Sequence, residues 1–576
     1  MDHKPWLKKY DKGVPHTLEP YPQIPLFGFV EQAARDYPNN PAIIFKPRAM
    51  KGGLDKLTGG KMSYRTLNDL TDRMAGALAK LGIKKGDRVI ILMPNSTQFV
   101  IAYYGIMKAG GIVVATNPLY SAREMEIQFN DCGAELVIAT SNFYARVKEV
   151  QPKTKVKRVV VSHIRDYMGG FLKTLFPLNK HTAAEHKAEL KEGDVWMADL
   201  LSQHTAADRP KVDVGPNDIA IFQYTGGTTG VSKGAVALHR NLVADTLAIK
   251  SFMPDVRQGQ EVVLCAIPLF HVYGMVAAMN FGISAAAVLV LVPNPRDLEN
   301  VLSAINTYQP GIFPGVPTMY NAINNYPDLS RYNIRSIRAC ISGSAPLMPE
   351  TQHKFEKLTG GRLREGYGLS EAPTASHCNP IYGENRVGSI GIPLPDVECK
   401  IISLDEPDKE LGVEEIGELC LRGPMVMQGY WNMPTETNNV LKEGWLYTGD
   451  IAKMDEDGYF YIVDRKKDMV IAGGYNIYPT NIEKVIKEHP KVFDVAAAGI
   501  PDPYRGETIK VWVVPKPGET VTEQEIIDFC KKELAKYEVP RSVEFRTELP
   551  KTMVGKVLRR MLVEEEKKKA QKQAAA

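Results

Sequence analysis

At 576 residues the chain is too long to fold around a single core, and three to five structural units are expected. Apolar residues at 44% and charged residues at 24% are the ordinary balance of a soluble globular protein, and a net charge of +4 neither demands nor excludes an anionic partner. Lysines mixed with acidic residues, without a basic stripe interleaved with aromatics, argue against nucleic acid as a partner.

The opening Met1–Lys9 has no apolar run and does not read as a secretory signal. Residues 64–83 carry helical periodicity that ends at a glycine, and Gly86-Asp87 turns into the strand 88–93. A helix over 96–109, a strand at 112–115, a helix over 122–131 and strands at 134–140 and 157–162 continue an α/β alternation with mostly parallel strands. Residues 163–212 break the rhythm. Within them, 169–180 mix apolar and basic residues and leave open both a surface loop and a membrane-surface contact. Strand signals return at 219–224, 262–268, 287–292, 311–315 and 337–342.

Between Val262 and Val292 there is no charged residue, a length that could span a bilayer. Pro268, His271, Gly274 and Asn280 interrupt it, so two short buried strands around a helical middle are expected instead. From about 385, short segments between Gly, Pro and Asp turns suggest a small antiparallel sheet or barrel. A closing module follows Asp464–Asp468, with helices at 479–488 and 522–536 and strands at 494–500, 509–514 and 542–546. The end, 564–576, reads as a frayed helix or disordered tail. Seven cysteines without a CxxC pair read as reduced core residues of a cytosolic protein.

The richest segment is Tyr224–Gly234, with four glycines, three threonines and one lysine in eleven residues. Exposed N–H groups, hydroxyls and a positive charge suit a polyphosphate. It is not a Walker A loop, because Ser232 precedes Lys233 and Gly234 follows it. Ser342–Pro346 follows an expected strand and would let a flat ring or phosphate approach the backbone, or be a plain turn. Tyr367 and Glu371 stand among glycines, offering an aromatic face and a carboxylate. Asp450 lies in a Thr-Gly turn, Arg465 and Lys467 in a charge run, and Lys556 after a glycine near the end. Each of these alone also fits a core tyrosine or a solvated charge.

In this order, the blocks Tyr224–Gly234, Tyr367–Glu371, Tyr447–Asp450, Asp464–Asp468 with Gly473–Ile477, and Lys556 make the chain resemble the adenylate-forming superfamily of acyl-CoA synthetases, luciferases and adenylation domains. Gln223–Gly230, Pro268–Gly274 and Ile471–Pro479 look most like bacterial long-chain fatty acid–CoA ligases, and the resemblance covers residues 25–563. Ser370 replaces the usual Thr, and Gly226 a common Ser.

The resemblance implies a large α/β domain, 1–464, of two doubly wound sheet subdomains plus a small β-barrel-like one. A mobile α+β lid domain, 465–576, would follow it. It implies that a fatty acid attacks ATP to give acyl-AMP and pyrophosphate, and that coenzyme A then displaces AMP. Thr225, Gly226, Gly227, Thr228, Thr229, Gly230 and Lys233 would cradle phosphates. Glu371 would hold Mg²⁺, with Thr225 as a second contact. Tyr367 would stack on adenine, with Gly343, Ser344 and Ala345 on the other side. Asp450 and Arg465 would fix the ribose, Lys556 would bridge carboxylate and α-phosphate, and His271 would lie by the acyl and thiol channels. Lys467 would be the hinge, with Gly473 and Gly474 on the coenzyme A path.

Gly274, Gly282, Gly311 and Gly315 are candidates for opening a deep acyl slot. Medium-chain or aryl acids, a ligase that loads acyl-AMP onto a carrier protein, and a non-catalytic binding protein remain alternatives, as do peripheral membrane contact and homodimerisation.

Overall fold

Helix and strand alternate along the first half of the chain because each strand is apolar on both faces and needs a helix over each. The computed structural model describes residues 4–48, 59–176, 184–225, 232–406, 409–472, 475–502, 506–552 and 555–575. Arg88–Leu92 lies between Ile112–Ala115 and Leu136–Thr140, with Arg158–Ser162 beyond, all parallel. Ile219–Thr225 runs parallel to Ile112–Ala115 on its other edge and turns back antiparallel into Lys233–Leu238.

The helices begin where side chains can cap them. Ser63 accepts the Thr66 N–H at the start of Tyr64–Lys80. Ser121 and Glu124 form a reciprocal capping box at Ala122–Cys132, which ends on Gly133 at φ 62°. Helix Thr97–Lys108 is buried all round, as its low polarity requires. Its one ammonium, Lys108, is neutralised by Asp72 at 2.8 Å.

The charge-free stretch resolves as expected. Val262–Cys265 and Val288–Leu291 are parallel strands beside Pro41–Phe45. Between them run Val272–Gly274, a π-helical turn Met275–Asn280, and Phe281–Ser284. Buried Asn280 is bonded by Tyr104 at 2.9 Å and bonds Tyr103 at 3.3 Å. Among the described residues no helix is long and apolar enough to cross a membrane.

The strand expected at 311–315 is only a set of single bridges, Val263 to Ile312 to Ala339 and Gly315 to Ser342. Those bridges tie this sheet to a third one, in which Ala339–Ser342 runs parallel to Arg362–Leu369 and Ala372–Cys378 folds back antiparallel. Leu172 and Phe176, apolar residues of the irregular insert, are buried, and Phe176 meets His163 edge-on at 5.1 Å. Residues 177–183 lie outside the described ones.

The chain divides into two compact units, Trp6–Glu398 with Arg422–Gly444, and Cys399–Leu421 with Trp445–Ala576. In the smaller one, Glu398–Ile402, Gly417–Arg422, Trp445–Met454 and Phe460–Arg465 share an open sheet, so the barrel-like expectation resolves to a sheet that does not close. A second sheet contains Val470–Ala472, Tyr475–Ile477, Val492–Asp502, Gly506–Pro515 and Ser542–Phe545.

Helices Pro479–Lys487 and Glu523–Glu533 cover one face of that sheet over Val495, Val511 and Val513. The end of the chain forms helix Arg559–Ala575 on the other face, where Leu562 packs against Ala496 and Trp512. Ion pairs Lys510–Glu566 at 2.7 Å and Arg546–Glu565 at 2.6 Å hold it down. All seven cysteines are free thiols, and only Cys399 is not fully buried.

Candidate active site

In the larger unit the phosphate-loop segment springs from a β-hairpin. Tyr224 pairs with Gly234 and Thr225 with Lys233, and the Ser232 hydroxyl donates to the Thr225 carbonyl at 2.7 Å. The two feet of the loop are thereby fixed. A Cβ on Gly234 would lie 3.1 Å from the Tyr224 ring, which explains a glycine there. Gly226, Gly227, Thr228, Thr229 and Gly230 lie outside the described residues.

The Lys233 ammonium pairs with Glu436 and stands 5.2 Å over the Tyr430 ring. Strand Gly429–Tyr430 adds to the hairpin edge, Gly429 opposite Val236 and Tyr430 opposite Ala235. The Trp431 N–H donates to the Gly234 carbonyl at 2.8 Å, and the Trp431 ring packs on Phe222 at 4.7 Å. From this anchored position the Tyr430 hydroxyl donates to Glu371 Oε1 at 2.8 Å, and the Met427 N–H to the Glu371 carbonyl at 2.8 Å. Lys233 and Glu371, 138 positions apart in sequence, therefore share one tyrosine.

Among the described residues no group of three or more His, Cys, Asp or Glu side chains could hold a metal ion. Mg²⁺ needs no such group: one carboxylate, phosphate oxygens and waters make an ordinary site. Glu371 fits, since no donor among the described residues reaches its Oε2.

The turn after Ala339–Ser342 lies beside the strand that carries Tyr367, with Ser342 opposite Glu365. Ser344 has φ 73° and is exposed, Ala345 is half-buried, and Gly343 is buried against Tyr273. Tyr273 donates to the carbonyls of Ile341 at 2.6 Å and Gly315 at 3.1 Å, so its ring is locked against the turn. Tyr367 is half-buried and meets His377 edge-on at 5.8 Å. His271 stands two residues before Tyr273, half-buried, with Nδ1 accepting the Tyr273 N–H at 3.2 Å. The turn, Tyr367 and the His271–Tyr273 segment are thus neighbours.

Three glycines singled out as slot openers are close-packed. A Cβ at Gly274 would lie 2.2 Å from the Pro268 carbonyl, at Gly282 2.4 Å from Leu289, and at Gly315 2.7 Å from the Tyr320 hydroxyl. They allow close approach and do not open space. Gly311 alone has more room, its nearest neighbour at 3.7 Å.

In the smaller unit Asp450 and Arg465 face each other across paired strands, Asp450 Oδ1 lying 3.0 Å from Arg465 Nε. Lys556 is presented by a tight loop closed by the Lys551–Val557 bridge. Within it Thr552 N–H donates to the Lys556 carbonyl at 2.8 Å, the Thr552 hydroxyl accepts the Lys556 N–H at 3.1 Å, and Gly555 has φ 78°. Burial, with Arg465 and then Lys467 adding repulsion against the pull of Asp450 and Asp468, brings the Lys556 ammonium down to about 7. Asp450, Arg465 and Lys467 therefore all act electrostatically on Lys556. Gly473 and Gly474 lie outside the described residues.

Sequence reading missed four residues here: Tyr430, Glu436, Tyr273 and Arg559. Arg559 donates to Glu483 at 3.0 and 2.8 Å, to Asp468 at 3.0 Å and to the Thr480 hydroxyl at 3.2 Å. For Arg559 and Tyr273 a signal was present: a second cation three places after Lys556, and a place inside the Pro268–Gly274 block.

Comparison with known proteins identifies the family. Residues 30–431 match the AMP-binding enzyme family and residues 481–556 its C-terminal domain. The chain is 42% identical over 570 residues to the long-chain-fatty-acid–CoA ligase of Bacillus subtilis (strain 168), covering 98% of this chain and 99% of that protein. It is 38% identical over 575 residues to the ligase of the same name in Escherichia coli O157:H7, covering 99% and 100%. Among solved structures, ATP-bound MatB from Rhodopseudomonas palustris superposes with a TM-score of 0.81 at 28% identity, over 94% of this chain and 98% of that one.

Proposed function

The chain belongs to the AMP-binding enzyme family, and from that premise we propose that it joins a long-chain fatty acid to coenzyme A at the expense of ATP. The product is an acyl-CoA, formed through acyl-AMP with release of pyrophosphate and then AMP. Its co-substrates are ATP and coenzyme A, and its metal is Mg²⁺. The observation that carries this reading is the Lys556 ammonium within electrostatic reach of the paired Asp450 and Arg465, since a protein that only bound acyl groups has no use for that cation.

A carboxylate oxygen attacks the α-phosphorus and the bond to the pyrophosphate oxygen breaks. The coenzyme A sulfur then attacks the acyl carbonyl, and AMP leaves. Both partners of the first step are anions, so fixed positive charge and N–H donors must offset their repulsion in the transition state. Lys233 and the 225–230 loop serve the β- and γ-phosphates, and Lys556 serves the meeting point of carboxylate and α-phosphate. Glu371, with Thr225 as a second contact, would hold Mg²⁺, which when bound would supply charge neutralisation at the phosphates. Tyr367 and the Gly343, Ser344, Ala345 turn take adenine. Arg465, held by Asp450, presents a rigid fork to the ribose. His271 lines the acyl and thiol approach.

The division into an adenylation domain, 1–464, and a lid domain, 465–576, that pivots at Lys467 and lines the coenzyme A path with Gly473 and Gly474, belongs to this proposal. So does a cytoplasmic location with peripheral contact at the membrane surface.

A panel of C6 to C20 acids plus 4-coumarate, with coupled AMP detection and either free coenzyme A or holo-acyl carrier protein as acceptor, tests the reading. AMP release peaking at C14 to C18 with coenzyme A is expected. A coumarate or C6–C8 optimum overturns the substrate, a carrier-protein preference overturns the acceptor, and no acid-dependent AMP at all overturns catalysis.

A further inference from the structure

The arrangement around Lys233 carries a consequence for how nucleotide enters. Lys233 is the one Lys or Arg in the Tyr224–Gly234 segment, and its ammonium is held by the Glu436 carboxylate. It is four-fifths buried and lies over the Tyr430 ring, while Glu436 is 42% exposed. Glu436 is carried by a separate short helix, Pro434–Val440, in which no residue is buried. That helix is tethered chiefly through Thr437, whose hydroxyl accepts the Tyr430 N–H at 2.9 Å.

A triphosphate and a carboxylate compete for the same ammonium. Both accept charge-assisted hydrogen bonds, and Lys233 offers its donors on one compact head. We propose that Glu436 is the resting counter-ion of Lys233, a carboxylate that stands where a phosphate oxygen of ATP comes to stand and that nucleotide must displace. This inference rests on the functional reading above.

Tyr430 gives the exchange a second effect. Its ring lies beneath the ammonium and its hydroxyl holds Glu371. Release of Glu436 thus leaves Lys233 on the same aromatic shelf that orients the proposed metal carboxylate, and the lysine reaches the phosphate without a change of anchor. In the absence of nucleotide the pair keeps a partly buried ammonium from standing uncompensated, which is costly in a low-dielectric setting.

The test is ATP binding to the full-length protein by isothermal titration calorimetry without Mg²⁺, followed by inorganic pyrophosphate as a second probe. Glu436→Gln removes the competing charge and keeps the size. It is expected to tighten both ligands about three- to tenfold, and Glu436→Ser to do the same. In a Lys233→Met background the Glu436→Gln change is expected to have no effect, because the ammonium for which the two anions compete is gone. Melting temperatures within about 2 °C of wild type show that the variants are folded.

Equal or weaker ATP binding by Glu436→Gln overturns the proposal and makes Glu436 a brace for Lys233. Tightening that persists without Lys233 also overturns it, and assigns Glu436 to simple repulsion of the ligand. Failure of the wild-type protein to bind ATP sinks the functional reading itself, and the counter-ion role with it.

Discussion

At Lys556 two demands on one side chain conflict: the role proposed for it asks for shelter beside a developing charge, and shelter disfavours its ammonium. The result is a group that titrates at about 7 in the protein against about 10.4 in an unfolded chain. Because the folded value is the lower one, the unfolded state binds more protons between these limits. Stability from this group therefore rises with pH from about 7 to about 10 and is flat outside. Lys556→Met is expected to raise the melting temperature of the smaller unit at pH 6 to 7 and to leave it unchanged near pH 10. Calorimetric scans across that range check it, and a constant difference at all pH would contradict the burial cause. In catalysis, Lys556→Ala is expected to lower the adenylation rate by 10²–10³, about 3–4 kcal/mol for one preorganised charge. Thioester formation from supplied acyl-AMP should be spared.

Glu371 gives a second residue-level prediction. Glu371→Gln keeps the size and one oxygen, including an acceptor for the Tyr430 hydroxyl. The Mg²⁺ concentration for half-maximal pyrophosphate exchange should rise and the saturated rate fall, with the melting temperature unchanged. An unchanged Mg²⁺ dependence would return Glu371 to a structural role.

At the scale of elements, Arg559 decides how helix Arg559–Ala575 begins. It binds Asp468 next to the proposed hinge and Glu483 and Thr480 on helix Pro479–Lys487, while Asp464 lies 3.9 Å away and accepts the Thr480 N–H. Burial raises the Asp464 carboxyl and Arg559 pulls it back. Arg559→Leu strands these carboxylates together, at a cost of about 3–5 kcal/mol for a broken buried network. It is expected to impair adenylation as Lys556 loses its support. Arg559→Lys keeps the charge without the fork and should fall between the two, as urea unfolding and pyrophosphate exchange can show.

The sequence exposed elements of this kind unevenly. Helix periodicity and caps placed Tyr64–Lys80, Ala122–Cys132 and Pro479–Lys487 within three residues, because amphipathic faces and capping groups are local signals. The strand Lys233–Leu238 was missed because the glycine loop masks its start. The 311–315 segment was overread, because buried apolar residues there make single bridges and no ladder. Lys233, Glu371, Tyr367 and Lys556 were visible as motif residues. Tyr430 and Glu436 were not, since only the pairing of Tyr430 with Ala235 brings them to Lys233, and no local pattern encodes that pairing.

For the whole molecule, the proposed chemistry asks one polypeptide to favour two successive reactions, and the residues for each lie in different blocks of sequence. The encounter of carboxylate and α-phosphate, for which Lys556 is proposed, is over once acyl-AMP exists. Gly473-Gly474 belongs to the block proposed to line the coenzyme A path, and paired glycines there are what close passage of a pantetheine arm requires. A side chain at Gly473 should therefore block the second step and leave the first. Gly473→Leu is expected to exchange pyrophosphate at close to the wild-type rate, to accumulate acyl-AMP, and to convert supplied acyl-AMP to acyl-CoA at least tenfold more slowly. Lys556→Ala should show the reverse, and the two together form a crossed test that general loss of folding cannot imitate. If Gly473→Leu makes thioester from supplied acyl-AMP at the wild-type rate, the 471–477 block has no part in the second step. If both variants lose both half-reactions in equal measure, the two blocks do not divide the chemistry, and a single undivided site takes the place of the proposed lid.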